Sequence, residues 1–374
     1  MSTQRRIYLD FNATGPLAPA ARAAMAEAME EVGNPSSVHA EGRRARDRVE
    51  RARDRVAALV GRQREHVVFT SGGTEANALG LLALAATIEK RGQDRTLCLA
   101  PIDHPSLIGA AMALRARGWT VQWMEVSRDG LVRGPAASCS LVALSLANHE
   151  LGTTPEIAAI LAWAQAHHAL VHVDAVQAAG KRDLSVLAGA HAVAISAHKI
   201  GGPQGVGALA LSLKDGLPII EAGHQERGLR PGTENTLGII GFGAAVAALE
   251  LEDWRRVAAL GQRLEDGLCA IDGVRIHGAA APRIGGTINA GFAGALGESI
   301  VIGLDLEGVA VSTGAACTSG SVQPSPVLLA LGMPPIEARE GVRFSLGRPT
   351  TDADVDAVLA LIPAIVKRSR MHGA

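Results

Sequence analysis

Ala192-Val-Ala-Ile-Ser196, then Ala197-His198-Lys199, then the glycine-rich run from Ile200 to Gly207, is the stretch that decides the fold. Small and branched residues without a polar break read as a strand buried on both faces. A lysine directly after such a strand is poorly explained as a solvated charge, because ligands gather where the strands of an open parallel sheet end. Outward from this stretch the pattern repeats. Apolar runs of strand length at Val67–Thr70, Thr96–Ala100, Trp119–Met124, Leu141–Leu146, Leu170–Asp174 and Ala208–Leu211 alternate with helical stretches. That alternation predicts an α/β fold, a largely parallel sheet sandwiched by helices.

Two helices precede the sheet pattern, Leu17–Glu31 and Ala40–Val60, the second with Ala45, Val49, Ala52, Val56 and Leu59 on one stripe. Residues 235–266 read as mostly helical. From Val274 the texture changes, with strands at Gly286–Ala290 and Val342–Ser345 and a helix at Ala353–Arg368. The expected division is a large α/β domain over residues 16–255 and a smaller α+β domain made of residues 1–15 and 256–374.

Composition excludes several function classes. Hydrophobic residues are 48% and charged residues 20%, which is enough apolar content for a large core and too much for a disordered chain. Lys+Arg 36 against Asp+Glu 37 leaves no basic excess for a nucleic-acid partner. Aromatics at 3%, with Tyr8 the single tyrosine, cannot build a base-stacking platform. Cys98, Cys139, Cys269 and Cys317 are far apart without a C-x-x-C pair, so neither a disulfide framework nor a metal site is expected. No apolar run is long enough to span a membrane, and the expected compartment is the cytoplasm.

Four strand ends carry chemistry. Val67–Thr70 runs into Ser71-Gly-Gly-Thr-Glu75 at a helix start, where free N–H groups and glycines form a phosphate cup; a plain strand-to-helix turn would look much the same. Leu170–Asp174 ends on an acid that needs a salt bridge or a cationic ligand. Ala192–Ser196 leads to Lys199, and Ala100-Pro-Ile-Asp-His104 supplies a histidine. A phosphate cup, a strand-end Asp and a strand-end Lys, 25 residues apart by their numbers, are what pyridoxal 5'-phosphate requires: a phosphate seat, a partner for the ring nitrogen and an amine for its aldehyde.

With those residues in view, the chain resembles the cysteine desulfurases of the class V, fold-type I, pyridoxal-phosphate enzymes over nearly its whole length. The resemblance rests on Tyr8–Thr14, Gly33–Ser37, Ser71–Glu75, Asp174–Gln177, Ser196–Lys199, Glu226–Asn235, Gly314-Ala-Ala-Cys317-Thr-Ser-Gly320 and Arg343-Phe-Ser-Leu-Gly-Arg348. It implies that Lys199 holds the cofactor covalently, that Asp174 pairs with the ring nitrogen and that Gln177 contacts the ring hydroxyl. Gly73, Thr74, Ser196 and His198 would hold the phosphate, with Thr233 contributed by the partner of a homodimer. His104 would stack on the ring and move protons, Asn34 would sit on the substrate side, and Arg348 would clamp the carboxylate of L-cysteine. Cys317 would take the sulfur as a persulfide, releasing L-alanine, for delivery to an acceptor or iron-sulfur cluster scaffold protein.

Cys317 stands out from the other cysteines on sequence grounds too. It precedes a polar, Gly- and Pro-bearing stretch, Thr318–Pro326, expected to move, whereas Cys98, Cys139 and Cys269 are expected to be small buried hydrophobes. Three departures from the family pattern are present. His149 stands where the family usually has a second asparagine, and is expected at the ring hydroxyl or substrate carboxylate with a titration near the working pH unless Asn148 takes the contact. Gln323 and Pro326 replace a Glu and an aromatic or His, and the chain stops at Ala374 without the longer tail of some members. The alternatives are a class V aminotransferase or selenocysteine lyase, which would share Lys199, Asp174 and Arg348, and a non-catalytic binding protein. An aminotransferase has no use for Cys317.

Overall fold

The computed structural model describes residues 6–212, 218, 220–314 and 323–372. A short strand, β1 (Ile7–Tyr8), precedes the main sheet, whose strands are β2 (Val67–Thr70), β3 (Thr96–Leu99), β4 (Thr120–Trp123), β5 (Leu141–Ser145), β6 (Leu170–Asp174), β7 (Ala192–Ser196) and β8 (Gly207–Leu211). Their order is β2-β8-β7-β6-β5-β3-β4. From β7 to β4 every pair is parallel, and β8 is antiparallel to both β7 and β2. The sheet is therefore the largely parallel one expected, with a reversal at one edge. That reversal has a local cause: the glycine-rich stretch between β7 and β8 is too short for a crossover helix, so the chain returns as a hairpin.

Both faces of this sheet are covered, as its unbroken apolar strands require. On β5, Val142 and Leu144 point into one core with Val171, Val173, Val193 and Ile195. Leu141 and Ala143 point into the other, with Ala192, Ala194, Leu209 and the Leu79, Leu84 and Ile88 side chains of helix Gly73–Lys90. Each fully buried Val or Leu contributes about 1.5–3 kcal/mol.

A further core is built around an antiparallel sheet of β9 (Val274–His277), β10 (Thr287–Phe292) and β12 (Gly341–Ser345), with β11 (Val309–Ala310) pairing in parallel with β1. Helices Leu251–Cys269, Gly297–Leu306 and Asp352–His372 close over it with Phe292, Phe344 and Leu9. Residues 235–266 divide into two helices, Thr236–Ala247 and the start of Leu251–Cys269, rather than one continuous run. Residues 9–12 lie along this second core, where Leu9 N donates to Ala310 O and Asn12 N to Ser345 Oγ, before the chain passes under Lys199. No helix among the described residues is long and apolar enough to cross a membrane.

Candidate active site

The ends of β2, β5, β6 and β7 open on one cavity of about 230 Å³, lined by Gly73, Thr74, Asn77, His104, Ser106, Ser145, Ala147, His149, Asp174, Val176, Gln177, Ser196, His198 and Lys199. That volume is below the ~300–1,000 Å³ usual for drug-sized ligands, and suits a single-ring compound.

Asp174, the last residue of β6, is buried. Burial raises its pKa, and the Val176 N–H, the His104 and Lys199 charges and the Asn77 amide pull it back. Its Oδ1 accepts from Val176 N at 2.9 Å and its Oδ2 from Asn77 Nδ2 at 2.7 Å. Asn77 fixes the polarity of everything around it. Its amide nitrogen also donates to Ser106 Oγ at 2.8 Å, so its oxygen must accept the Nε2–H of His172 at 2.9 Å. His172 Nδ1 is then a bare lone pair without a partner, packed where a Cβ on Gly80 would come within 2.5 Å of it. Burial alone lowers the His172 pKa to about 3, and the ring is neutral.

The same logic sets His104, the N-cap of helix Pro105–Ala116. Its Nδ1 accepts from Ser106 N at 3.1 Å and lies 2.8 Å from Ser106 Oγ. Because Ser106 Oγ already accepts from Asn77, its own proton is available to Nδ1, and the neutral imidazole carries hydrogen on Nε2. Burial and Lys199 lower the His104 pKa, against the pull of Asp174.

Facing Asp174 is a cationic wall. Lys199 Nζ donates to the carbonyls of Asn12 and Ala13. Its pKa falls to about 8, through burial first and then Arg343, against Asp10 and Asp174. Arg343 projects from the middle of β12 and is buried; its Nη2 reaches Asp10 Oδ1 at 2.7 Å and its Nη1 the His149 carbonyl at 3.1 Å. Gln177 lines the cavity with its amide donating to Asn12 O at 2.9 Å.

The third side is a cup of small residues and helix start. Helix Gly73–Lys90 begins at the end of β2 with the N–H groups of Gly73 and Thr74 at its mouth. A Cβ on Gly73 would meet Val176 Cγ2 at 2.7 Å, and one on Gly207 would meet Gly72 Cα at 2.8 Å, so both glycines permit backbone approach where a side chain would not fit. Ser196 Oγ is buried there without a partner, beside His198, whose Nδ1 lies 3.1 Å from Thr14 Oγ1. Burial and Lys199 lower the His198 pKa to about 4.

Several expected residues are placed elsewhere. Arg348 does not line this cavity. Its guanidinium sits 3.7 Å from Asp253 and 3.4 Å from Ala248 O, beside a neighbouring cavity of about 460 Å³ that meets the first at Lys199. The two arginines of the 343–348 motif differ because Arg343 lies within β12, whereas Arg348 lies past its end. Asn34 closes its own turn by accepting from Ser36 N at 2.9 Å, and does not reach the cavity. Thr233 is exposed, on a loop anchored by Glu226, which accepts a bidentate pair of 2.7 Å bonds from Arg53 and the Phe69 N–H at 2.8 Å. Those bonds hold Glu226 and Arg227 at φ 46° and 58°, a conformation that costs non-glycine residues energy.

Cys269 is exposed, contrary to expectation, while Cys98 and Cys139 are buried. Cys317 lies outside the described residues. At the described positions flanking it, the buried Glu150 carboxylate accepts from Ser325 Oγ and packs against Gly314, where a Cβ would come within 2.7 Å of Glu150 Oε2.

His149, not Asn148, faces the cavity. Asn148 is spent on the loop itself, donating to Ile102 O and accepting from Glu150 N and Leu151 N. Burial, then His104, Arg343 and Lys199, lower the His149 pKa well below the usual imidazole range, away from the titration expected near the working pH, and its Nδ1 is buried without a partner. Sequence reasoning missed Arg343, Asn77 and His172. An arginine inside an otherwise apolar strand, Gly341-Val-Arg-Phe-Ser345, was the available pointer to the first.

Comparisons with known proteins agree with this geometry. The chain matches the aminotransferase class-V family over residues 7–358. It is 39% identical to "Cysteine desulfurase 2" of Trichormus variabilis, covering 97% of this chain and 94% of that one. It is 37% identical to the "IscS-like cysteine desulfurase" of Mycobacterium tuberculosis, covering 97% of each. Among solved structures it is similar to a NifS-like protein at 30% identity and a TM-score of 0.88, over 97% of this chain and all of the other. A NifS-like protein from Rickettsia africae follows at 29% and 0.85, over the same shares.

Proposed function

The chain belongs to the class V aminotransferase family, and from that premise we propose that it is a pyridoxal-phosphate cysteine desulfurase. In this reading L-cysteine becomes L-alanine and its sulfur passes to Cys317. The observation that carries the proposal is the convergence of a helix-start cup, a buried strand-end acid and a half-buried lysine on one small cavity. The residues suit the cofactor. The partnerless Ser196 Oγ and the free helix-start N–H groups offer donors to a phosphate, and Gly73 leaves room for it. Asp174, buried with its two oxygens accepting from Val176 N and Asn77 Nδ2, is the acid that would pair with a protonated ring nitrogen. When bound, the cofactor supplies an electron sink for the bond-breaking at the substrate's α-carbon.

The chain's own residues have distinct tasks. Lys199, with its pKa lowered to about 8, holds an appreciable neutral fraction at working pH and can carry the cofactor and exchange protons at Nζ. His104 presents Nε2–H to the cavity and would stack on the ring. Gly73, Thr74, Ser196 and His198 would hold the phosphate, Gln177 and His149 would serve the ring oxygen, and Asn34 would join the substrate side only if its loop moves. Arg343 lies one residue layer behind the cavity, with its Nη1 on the carbonyl of the cavity-lining His149, and we assign it, rather than Arg348, the substrate carboxylate, exchanging that weaker bond. Cys317 thiolate attacks the substrate sulfur; the C–S bond breaks, an S–S bond forms, and the three-carbon fragment takes a proton and leaves as alanine. Residues 16–255 then form the cofactor-binding unit, and residues 1–15 with 256–374 carry Cys317.

A homodimer in which the exposed Thr233 reaches the partner's phosphate is consistent with the rigid anchoring of its loop by Glu226. A cytoplasmic setting and a protein acceptor of the sulfur, such as a cluster scaffold, complete the proposal. The test is direct. Purified protein incubated with L-cysteine and a thiol reductant should release sulfide and alanine in equal amounts. Cys317→Ser should stop both while leaving cofactor uptake intact, and Lys199→Ala should abolish the covalent link and lower turnover by about 10²–10⁴-fold. A keto acid in place of alanine, or an active Cys317→Ser protein, defeats the proposal.

A further inference from the structure

Behind the cavity lies a buried lysine with no assigned task. Lys181 is 8% exposed, and among the described residues no carboxylate pairs with it. Its ammonium donates to Asn12 Oδ1 and to Gln177 Oε1, both at 3.0 Å, and stands 5.1 Å from the centre of the Trp254 ring. Burial, with Lys199 and Arg343, pulls its pKa down to about 7, and in either protonation state the amine has the two N–H groups these bonds use, each aimed at an amide oxygen. Gln177 must turn its oxygen to Lys181, and its nitrogen then reaches Asn12 O. Asn12 must likewise turn its oxygen to Lys181, which leaves its nitrogen for the His149 carbonyl at 3.2 Å and Thr287 Oγ1 at 3.0 Å.

Those partners belong to different parts of the molecule. Gln177 and His149 line the cavity; Thr287 opens β10, and Trp254 sits in the helix closing the second core. Lys199 shares the Asn12 carbonyl with Gln177, so the node touches the reacting amine as well. A buried ammonium is an expensive way to fill space, since an apolar side chain of similar volume is usually no less stable. Its retention is accounted for by the donors it supplies.

We propose that Lys181 is a positioning residue that, through Asn12 and Gln177, sets the cavity face of residues 148–150 and locks the second core's β-sheet against the cofactor site. It does not touch the cofactor. It fixes the orientation of the groups that do.

The test uses the full chain with Lys181→Met. In the cofactor-free protein the melting temperature should hold or rise, while hydrogen exchange should quicken locally at residues 10–14 and 148–152. This readout does not depend on the cofactor reading. On that reading, the dissociation constant for pyridoxal phosphate should rise about tenfold or more, as expected when charge-assisted hydrogen bonds are lost, and the absorption band of the bound cofactor should shift. If the Met variant is insoluble, Lys181→Gln is measured in the same way. Unchanged local exchange, or a fall in melting temperature with exchange quickened evenly across the core, overturns the proposal. Local quickening in a protein whose wild type takes up no pyridoxal phosphate upholds the node and defeats the cofactor reading instead.

Discussion

The wall holding Asp174 and the wall holding Lys199 enclose one cavity, yet they are built by different means. The first comes from β6 and two helix starts beside it, and its polar groups form one continuous set: His172 to Asn77, Asn77 to Asp174 and Ser106, and Ser106 to His104. Its charge is acidic. Asp103 lies behind it, buried, with burial raising its pKa to about 7 against hydrogen bonds from the Ser145 and Ala100 N–H groups. In the second wall Lys199 lines the cavity, with Lys181 and Arg343 behind it and Asp10 as the acid that Arg343 touches. Opposed charge across so small a cavity orients a dipolar ring, with its protonated nitrogen to the acid and its oxygen and carboxylate groups to the cations.

The contrast is broken most severely at its acidic pole. Asp174→Asn keeps the shape and one of the two accepted bonds, from Asn77 or from Val176 N, and removes the charge that would hold a proton on the ring nitrogen. Turnover should fall by about a hundredfold or more, the scale seen when an aimed electrostatic partner is lost from a site. Steady-state kcat with L-cysteine, together with the absorption spectrum of the bound cofactor, measures this. A loss below about threefold would mean that the acidic wall is structural only.

The cationic pole is sharpened by comparing two arginines five residues apart. Arg343→Ala removes a buried guanidinium held on the carbonyl of the cavity-lining His149, and KM for L-cysteine should rise roughly ten- to a hundredfold, as for a lost charged hydrogen-bond pair of about 1.5–3 kcal/mol. Arg348→Ala removes a guanidinium whose described contacts are Asp253 at 3.7 Å and Ala248 O at 3.4 Å, and KM should change less than about threefold. The reverse order would return the substrate carboxylate to Arg348.

The two walls also differ in how readily the sequence discloses them. Asp174, Lys199 and the Gly73–Thr74 cup are legible because each follows directly from an apolar run that must be a strand, and a parallel sheet brings such ends to one edge. Asn77 is harder to see, since a single polar residue in an otherwise apolar helix becomes meaningful only when β6 is known to lie beneath it. The cationic wall is harder still. Arg343 and Asn12 meet His149 through contacts 194 and 137 residues apart, and no local pattern predicts that pairing. The motif containing Arg343 and Arg348 was visible, but choosing between them required knowing which one lies inside β12. The edge reversal at β8 escaped for a related reason, since an apolar run shows that a strand is present and not which way it runs.

His149 is where the smallest effect is expected, and it tests whether the cationic wall holds its histidine neutral. Burial, with His104, Arg343 and Lys199, lowers its pKa well below the usual imidazole range and so favours the neutral ring. His149→Asn therefore exchanges one neutral donor for another. The pH midpoint of the cofactor band should move by no more than about 0.3 unit, less than the scatter of ordinary histidine environments. Stability behaves differently. An unfolded His149 takes up a proton below about pH 6.5, while the folded one does not, so the native state loses stability as pH falls through that value and keeps it above. Asparagine removes this loss. In the cofactor-free protein the two melting temperatures should agree near pH 8, and the Asn variant should gain steadily as pH falls from 6.5 to 5, by about 1–2 kcal/mol at pH 5. Equal acid sensitivity, or a midpoint moved by a full unit, would show that His149 carries charge in the folded protein and that the wall is less cationic than its geometry requires.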